Sequence, residues 1–302
     1  MRAPPDWMAT HEHRSCVSSD GTQIHYEVMG SGERTILMAN GLGGRLHAWE
    51  PLIEALHRGY RLITWDYRGL FDSDTPALPR RLAVAHHVDD ALAILEAEQI
   101  ERFVLCGWSM GVQVSLDLAA TQRDRVAGLV LLNGTYGHAL TTGFQPLFSV
   151  PYLPKRLHAF MEWVRRNPGL PERLATVARL GEPATVALFF LTAGPRALGL
   201  RHNLRQYMDD ILGESFENYI RLFQELDSHS VYHLLPEIDS PALVISGAFD
   251  PLTPARQSRE IARRMPDAEH IALIRAGHFA LLERPEVVIP AVEAFLAERA
   301  RW

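Results

Sequence analysis

The feature that most constrains this chain is the stretch 103–111, an apolar run that ends in Gly107-x-Ser109-x-Gly111 and leads directly into a helix-like segment. A buried strand that turns sharply into a helix places the intervening residue in a strained conformation, which leaves almost no room for neighbouring side chains. The two glycines meet that requirement, so the pattern predicts a nucleophile elbow. Such a turn would lift the Ser109 hydroxyl clear of the sheet, beside the positive end of the helix.

Apolar runs elsewhere in the chain predict a doubly wound, mostly parallel sheet. The predicted strands are 34–39, 61–65, 103–106, 126–132, 242–246 and 269–274, and the predicted helices lie near 48–57, 83–98, 111–121, 254–264 and 285–300. Continuous apolar runs that alternate with helices are typical of an α/β sheet covered on both faces. Turn signals at Asp20-Gly21 and Gly30-Ser31-Gly32, among residues 14–28 and 34–39, predict an antiparallel hairpin that opens the sheet.

The long stretch between Leu132 and Ala242 predicts an insertion, because it greatly exceeds one crossover connection. Its apolar residues follow helical spacing, as in the group Leu157, Phe160, Met161 and Val164. We therefore expect an all-helical cap or lid of residues 135–236. Residues 1–134 and 237–302 are expected to form the core domain.

Composition narrows the class of partner. The chain has 302 residues, 47% of them hydrophobic, and a net charge of −6 without a basic run, which argues against nucleic acid and favours a small molecule. No stretch reaches the roughly 18 apolar residues of a membrane span, and the N-terminus lacks a signal-peptide core, so we expect a cytoplasmic protein. Cys106 is expected to be a buried thiol without a disulfide. The sequence gives no indication of oligomeric state.

A serine nucleophile needs a general base and an anion that orients the base. Of fourteen histidines, His278 stands out because it follows the last predicted strand in the segment Ala276-Gly277-His278. Asp250 follows the strand at 242–246 and gives the chain order serine, aspartate, histidine. Asp227 and Asp239 are reserve candidates for the acid. They rank behind Asp250 because neither follows a predicted strand.

Other histidines are expected to be solvated at the surface, namely His11, His13, His86 and His87. The triplet His11-Glu12-His13 is short and terminal, so no metal site is predicted there. The predicted chemistry requires no metal and no cofactor.

An oxyanion formed by attack on an acyl carbon needs preorganised N–H donors. One is expected from Met110, the residue after the nucleophile. The second is expected from Leu42 in the segment Asn40-Gly41-Leu42-Gly43-Gly44, although a plain glycine-rich turn is an alternative. A phosphate-binding loop is disfavoured because no Lys-Ser/Thr pair follows.

Taken together, these motifs resemble the α/β-hydrolase superfamily, in particular its serine esterases and lipases with a small lid. The likeness covers about residues 20–134 and 237–300 and includes the stretch Asp66-Tyr67-Arg68-Gly69, Gly247 to Pro254, and Gly277-His278. It implies the α/β-hydrolase fold with Ser109, Asp250 and His278 as catalytic residues. Three residues depart from the family pattern. Asn40 stands where the family usually has His, and Phe71 stands where it has Gly. Val112 stands where a further Gly often follows the elbow. Val112 predicts looser packing between helix and strand.

The expected function is hydrolysis of a carboxylic ester with an apolar acyl group, a monoacylglycerol or a lactone. A serine at position 109 is incompatible with relatives that use a carboxylate nucleophile, such as haloalkane dehalogenases and epoxide hydrolases. Asn40, Phe71 and Trp108 are candidate substrate-binding residues, with packing as the alternative for Trp108. Aromatic residues of the cap are expected to line an apolar pocket or to form the cap's own core: Phe144, Phe148, Tyr152, Phe160, Trp163, Phe189, Phe190, Tyr207, Phe216, Tyr219 and Phe223.

Two alternatives remain open at this stage. The same triad could hydrolyse a carbon–carbon bond, act as a cofactor-free perhydrolase, or transfer an acyl group to an alcohol. A non-catalytic ligand receptor on the same fold is the less favoured alternative, because fold alone does not determine function.

Overall fold

The computed structural model describes residues 5–143, 151–167, 169–180, 200–213 and 216–302. Its eight strands are β1 (Glu12–Val17), β2 (Gln23–Met29), β3 (Arg34–Ala39), β4 (Tyr60–Trp65), β5 (Phe103–Trp108), β6 (Val126–Leu132), β7 (Ala242–Gly247) and β8 (Ala268–Leu273). They form one sheet in the order β1-β2-β4-β3-β5-β6-β7-β8. The six strands from β3 to β8 pair in parallel, which confirms the predicted mostly parallel α/β sheet.

The start of the sheet is antiparallel, as predicted, but its pairing differs in one respect. β1 and β2 form a hairpin around Asp20-Gly21, whereas β2 then pairs with β4 and not with β3. The glycines at 30 and 32 therefore do not close a second hairpin. A Cβ atom on Gly30 would lie 2.2 Å from the Tyr60 carbonyl oxygen, and one on Gly32 would lie 2.2 Å from that of Gly59. These two glycines allow the chain to pass close beside the start of β4.

Helices cover both faces of the sheet. They are α1 (Glu50–Leu56), α2 (Val84–Ala97), α3 (Met110–Thr121), α4 (Ala139–Thr142), α5 (Leu153–Arg166), α6 (Leu170–Leu180), α7 (Arg201–Ile211), α8 (Phe216–Ser228), α9 (Ala255–Arg264), α10 (Ala280–Glu283) and α11 (Pro285–Glu298). Alternate residues of the buried β5 join opposite apolar clusters, Phe103 with residues of α2, α3 and α9, and Val104 with residues of α1 and α11. Since strand side chains alternate between faces, this sheet needs the continuous apolar runs seen in the sequence.

Helices α4 to α8 occupy the insertion between β6 and β7. Among the described residues of the insertion, the regular secondary structure is helical apart from an isolated antiparallel bridge between Gly137 and Ser230. The bounds of core and cap at 134, 135, 236 and 237 stay a prediction. Among the residues that the structure describes, no helix is long and apolar enough to cross a membrane.

Two histidines that were expected to be solvated are buried or half-buried. His87 is fully buried on α2, and burial lowers the pKa of its imidazole to about 3. His11 is only 16% exposed and lies 2.6 Å from the Glu27 carboxylate. The prediction was wrong for both because the residues that cover them come from elsewhere in the chain. His13, at 63% side-chain exposure, is solvated as predicted.

Candidate active site

The turn between β5 and α3 has the strained geometry of a nucleophile elbow. Ser109 has φ 55° and ψ −114°, a conformation that non-glycine residues rarely adopt. A Cβ atom on Gly107 would lie 2.5 Å from the Gly111 carbonyl oxygen, and one on Gly111 would lie 2.0 Å from that of Ala39. Both positions therefore require glycine, and the tight turn leaves the Ser109 side chain partly exposed.

The three residues selected from the sequence as a catalytic triad lie in one hydrogen-bonded row. His278 Nε2 is 3.0 Å from Ser109 Oγ, and His278 Nδ1 is 2.9 Å from Asp250 Oδ2. The histidine and aspartate side chains are 4% and 0% exposed. This arrangement allows Nδ1–H to donate to the carboxylate while Nε2 accepts the hydroxyl proton.

The Asp250 carboxylate is held by several donors. Its Oδ1 accepts hydrogen bonds from the amides of Leu252 and Thr253, each at 2.9 Å. Its Oδ2 accepts from Asn133 Nδ2 at 2.8 Å and lies 2.6 Å from the Thr253 hydroxyl. These donors satisfy the buried carboxylate oxygens and keep the side chain in one rotamer.

Sequence reasoning missed Asn133 and Thr253. Asn133 directly follows β6, and its Nδ2 also donates to the Gly277 carbonyl at 2.8 Å, so it links the acid to the histidine loop. The only signal in the sequence was its place at the carboxyl end of a strand, where parallel α/β sheets collect functional groups. Thr253 had the weaker signal of a hydroxyl three residues after an aspartate.

The loop that bears His278 is fixed by a buried glutamate that was also missed. The Glu283 carboxylate, in a residue 2% exposed, accepts hydrogen bonds from the amides of Gly277 and Phe279. Burial raises the pKa of Glu283, while the two amide donors oppose that rise. A Cβ atom on Gly247 would lie 2.2 Å from the Gly277 carbonyl oxygen, which shows how closely the acid and base loops pack.

The two residues predicted to supply oxyanion donors lie at the same cavity as Ser109 and His278. Met110 is the first residue of α3, so its amide has no acceptor within the helix. In the loop after β3, the Gly44 amide donates to the Gly41 carbonyl at 2.8 Å. Because N–H and C=O of a trans peptide point in opposite directions, the Leu42 amide points away from that turn. The assignment of Leu42 and Met110 as oxyanion donors stays a prediction.

Asn40 does not reach the cavity, in contrast to its proposed contact with substrate. It is 1% exposed, its Oδ1 accepts from Trp49 Nε1 at 2.6 Å, and its Nδ2 donates to the Trp65 carbonyl at 2.7 Å. Its own carbonyl accepts from the Tyr67 hydroxyl at 2.6 Å. These bonds anchor the start of the Gly-rich loop, residues 40–44. Asn40 therefore holds the loop backbone in place and does not contact the cavity.

Trp108 likewise packs below the elbow, which was the alternative expectation for it. It is 5% exposed, and its Nε1 donates to the His278 carbonyl at 3.0 Å. Its ring leaves no space for a Cβ atom on Gly41 or Gly44, each of which would approach it to 2.7 Å. The ring therefore fixes the spacing between the Gly-rich loop after β3 and the loop that bears His278, and it is not among the residues that line the cavity.

The remaining departures from the family pattern have local explanations. Phe71 has φ 53°, a left-handed conformation that glycine adopts readily, and its ring lies under the Arg45 guanidinium, 4.6 Å from Cζ to the ring centre. It is outside the cavity lining. Val112 is fully buried, and a Cβ atom on Gly134 would lie 2.2 Å from Val112 Cβ. Gly134 supplies the space for this side chain, and the looser packing between helix and strand stays a prediction.

The cavity next to Ser109 has a volume of about 100 Å³ and a mostly apolar wall. Its lining residues are Leu42, Ser109, Met110, Thr135, Ala139, Leu140, Tyr207, Tyr219, Phe223, Leu226, Leu252, Thr253 and His278. Tyr207 also donates its hydroxyl to the Leu42 carbonyl at 2.6 Å, which joins α7 to the Gly-rich loop. Burial raises the pKa of Tyr219, so this phenol stays protonated at neutral pH.

Of the cap aromatics expected at a pocket, Tyr207, Tyr219 and Phe223 line the cavity. Phe216 packs partly buried beside Tyr219, at 6.2 Å between ring centres. Other members are surface residues: Tyr152, Phe160 and Trp163 are 71%, 52% and 55% exposed. Phe144, Phe148, Phe189 and Phe190 lie outside the described residues.

The reserve carboxylates lie elsewhere. Asp227 Oδ1 accepts from the Leu140 amide at 2.7 Å near the start of α4, and Asp239 is exposed in the loop before β7. Neither forms one of the described hydrogen bonds of His278, whose Nδ1 faces Asp250.

Comparison with known proteins agrees with this fold. A family model described as alpha/beta hydrolase fold matches residues 34–285. The chain is 26% identical to "Putative carbamate hydrolase RutD" of Agrobacterium fabrum over 284 residues, which cover 90% of this chain and 98% of that protein.

Two solved structures share the fold. The enol-lactonase from Burkholderia xenovorans LB400 superposes with a TM-score of 0.76 at 24% identity, covering 94% of this chain and all of that one (100%). A thermophilic esterase from Thermogutta terrifontis has a TM-score of 0.75 at 22% identity, covering 96% and 99%. Since the family model spans most of the chain, this protein belongs to the alpha/beta hydrolase fold family.

Proposed function

We propose that the protein is a serine hydrolase that cleaves carboxylic esters or lactones with a compact apolar acyl part. The observation behind this proposal is the position of the His278 imidazole, within hydrogen-bond distance of both the Ser109 hydroxyl and the Asp250 carboxylate. A hydroxyl paired with a buried, oriented imidazole is the arrangement that makes serine nucleophilic.

In acylation, Ser109 Oγ attacks the acyl carbon as His278 Nε2 takes the hydroxyl proton. Asp250 stabilises the imidazolium, and the amides of Leu42 and Met110 donate to the oxygen that becomes negative. The imidazolium then gives its proton to the leaving alkoxide, so the carbon–oxygen bond breaks and a neutral alcohol departs. For a lactone, the alcohol stays attached to the acyl chain.

In deacylation, His278 takes a proton from water, and the hydroxide formed attacks the acyl-enzyme. Collapse of the second tetrahedral intermediate breaks the bond to Ser109 Oγ, which receives the proton from the imidazolium. A carboxylic acid leaves and the free enzyme is restored. No external cofactor enters either half of the cycle.

The preference for an apolar substrate is argued from the cavity wall. Leu140, Phe223 and Leu226 are among the lining residues of the inserted helices, and Leu252 belongs to the acid loop. Burial of hydrocarbon against such a wall contributes a favourable free energy of about 25 cal/mol for each Å² of apolar surface. The polar groups in the lining include those of Ser109, His278 and Tyr219, which suits one ester group among apolar substituents.

A carbamate is the second candidate, because the sequence relative from Agrobacterium fabrum has that substrate class in its name. The triad chemistry would be the same, with a carbamoyl carbon as the electrophile. The apolar wall favours the ester over a small polar carbamate, since an unpaired amide would lose its bonds to water there.

The test is a substrate panel with matched variants. p-Nitrophenyl esters of increasing acyl length, aliphatic lactones, a carbamate and a vinylogous diketone would be compared on wild-type protein and Ser109→Ala. We expect ester or lactone turnover by the wild type and a loss of at least about 10⁴-fold in Ser109→Ala. Unchanged turnover in Ser109→Ala would overturn the proposal. Turnover confined to the carbamate or the diketone would reassign the substrate while retaining the nucleophile.

A further inference from the structure

Three imidazoles and one carboxylate meet on one face of the β1–β2 hairpin. In the register of this hairpin, His13 lies opposite Glu27 and Ser15 lies opposite His25. Side chains two residues apart in a strand point to the same side, so His11 joins His13, and His25 joins Glu27. The triplet His11-Glu12-His13 alone did not predict a metal site, but pairing with β2 adds two further donors.

Three of the four donor atoms lie close together, and the fourth is next to one of them. His11 Nε2 is 2.6 Å and His13 Nδ1 is 3.9 Å from Glu27 Oε2, and the three ligand atoms all lie within 4.8 Å of one another. His13 Nδ1 is also 3.1 Å from His25 Nε2. Two ligands on a tetrahedral zinc ion at bond lengths of about 2.0–2.1 Å are separated by roughly 3.3 Å. Since the group within 4.8 Å comprises His11, His13 and Glu27 but not His25, a common centre for all four atoms requires side-chain rotation, with His13 next to both Glu27 and His25.

An outer partner is also present. His25 Nδ1 lies 2.9 Å from Asp66 Oδ2, and the Asp66 side chain is only 2% exposed. When Nδ1–H donates to this carboxylate, Nε2 is left as a free lone pair that faces His13. Metal-binding histidines commonly have such a carboxylate partner, which fixes the ring and increases its basicity.

The site is also reachable. The side chains of His11, His25 and Glu27 are 16%, 14% and 8% exposed, whereas His13 is 63% exposed. Three donors are therefore preorganised by packing, and the fourth stands at the solvent side, where an ion can enter.

A second nearby group is a poorer candidate. His25, Asp66 and Asp72 also approach one another, but the Arg45 guanidinium lies 2.7 Å from Asp72 Oδ2 and 3.4 Å from Asp66 Oδ2. A cation already neutralises these carboxylates. The group around His13 has no such cation among the contacts of the described residues.

We propose that His11, His13, His25 and Glu27 form a binding site for one Zn²⁺ ion, which clamps the edge strand β1 to β2. Three imidazoles and one carboxylate are a ligand set that suits zinc and disfavours Mg²⁺ and Ca²⁺, which prefer six or more oxygen ligands. Four protein ligands leave no open coordination position, so the ion has a structural role. The proposal is independent of the serine chemistry.

The test uses tag-free, chelator-treated full-length protein titrated with ZnCl₂ by calorimetry, with metal content measured after dialysis. The expected result is one zinc ion per chain and a thermal midpoint that rises with zinc concentration, because the ion binds the folded state. In the double variant His11→Gln/His13→Gln, affinity should fall by at least about 100-fold, since even outer partners contribute about 10- to 100-fold. MgCl₂ and CaCl₂ should give no comparable shift.

The matched control is His57→Gln/His233→Gln, which removes two other histidines and should retain wild-type zinc affinity. Circular dichroism without zinc checks folding, and Glu27→Gln, expected to weaken zinc binding by at least about 10-fold, is a second test if the double variant does not fold. Absence of zinc binding by the wild type would overturn the proposal. So would undiminished stoichiometric binding by His11→Gln/His13→Gln, or by Glu27→Gln where that variant is used.

Discussion

The loops at the carboxyl ends of the strands and the helices inserted between β6 and β7 meet at one cavity, but different interactions hold them. In the loops, buried hydrogen bonds fix each polar group: Asp250 has the donors Asn133 and Thr253, and the His278 loop is held by Glu283. The inserted helices contribute mostly apolar contacts, and one of them, α5, exposes Phe160 and Trp163. Under the proposed function, this difference predicts that the loops determine the reaction and that the inserted helices select the substrate.

The largest effect should come from the buried acid. Asp250→Asn keeps the shape but removes the charge that stabilises the imidazolium, so we expect kcat to fall by about 10⁴-fold on the best p-nitrophenyl ester. Asp239→Asn, at an exposed carboxylate, is the control and should keep full activity. Equal activity of the two variants would show that the Asp250 carboxylate does not take part in the reaction.

A smaller loss should follow when one donor to the acid is removed. Thr253→Val deletes the hydroxyl that lies 2.6 Å from Asp250 Oδ2 at nearly constant volume. Hydrogen bonds to charged groups contribute about 1.5–3 kcal/mol, so kcat should fall roughly 10- to 100-fold with little change in KM. Thr253→Ser retains the hydroxyl and should stay close to wild type. A change in KM alone would assign Thr253 to substrate binding.

Substitution in the inserted helices should affect selectivity instead. Phe223→Ala removes a cavity-lining ring that is partly buried, so kcat/KM for a butyrate or hexanoate ester should fall about 10-fold, at the low end of the roughly 1.5–3 kcal/mol of a fully buried Phe. Acetate ester turnover should change much less. Phe160→Ala removes a ring that is 52% exposed and should leave both substrates unaffected. Equal losses for short and long esters would contradict the division of roles.

The smallest effect should occur where the two regions are joined. Tyr207→Phe removes the hydroxyl that donates to the Leu42 carbonyl at 2.6 Å, and a hydrogen bond of this type contributes about 0.5–1.5 kcal/mol. We expect kcat to fall roughly 2- to 10-fold through a less ordered Gly-rich loop. Tyr152→Phe, at a tyrosine 71% exposed, is the matched control. A loss as large as that of Asp250→Asn would show that the inserted helices take part in the chemistry.

The sequence was most informative where function depends on a short local pattern. The elbow around Ser109 and the succession of strands and helices along the chain follow from glycine spacing and apolar runs, which are local signals. Asp250 and His278 were selected because each follows a predicted strand, and the structure brings both to Ser109. Parallel strands gather their carboxyl ends at one edge, so sequence position was enough to select them.

The sequence was least informative where a role depends on a partner far along the chain. The Asn40 side chain is hydrogen-bonded to Trp49 and to the Trp65 carbonyl. Trp108 donates a hydrogen bond to the carbonyl of His278, which lies 170 residues later in the chain. The hairpin histidines gain Glu27 only through the register of β1 and β2. Such pairings are determined by the packed structure, and a motif of a few residues contains no information about them.

The most direct test of the central claim is site mapping with a fluorophosphonate probe, which forms a covalent bond only with a nucleophilic serine and releases fluoride. Intact and tryptic mass spectrometry of the wild type should find one adduct per chain, on Ser109. His278→Ala should show no adduct over the same time, because the hydroxyl has lost its base. An adduct on another residue, or labelling of His278→Ala at the wild-type rate, would contradict the account.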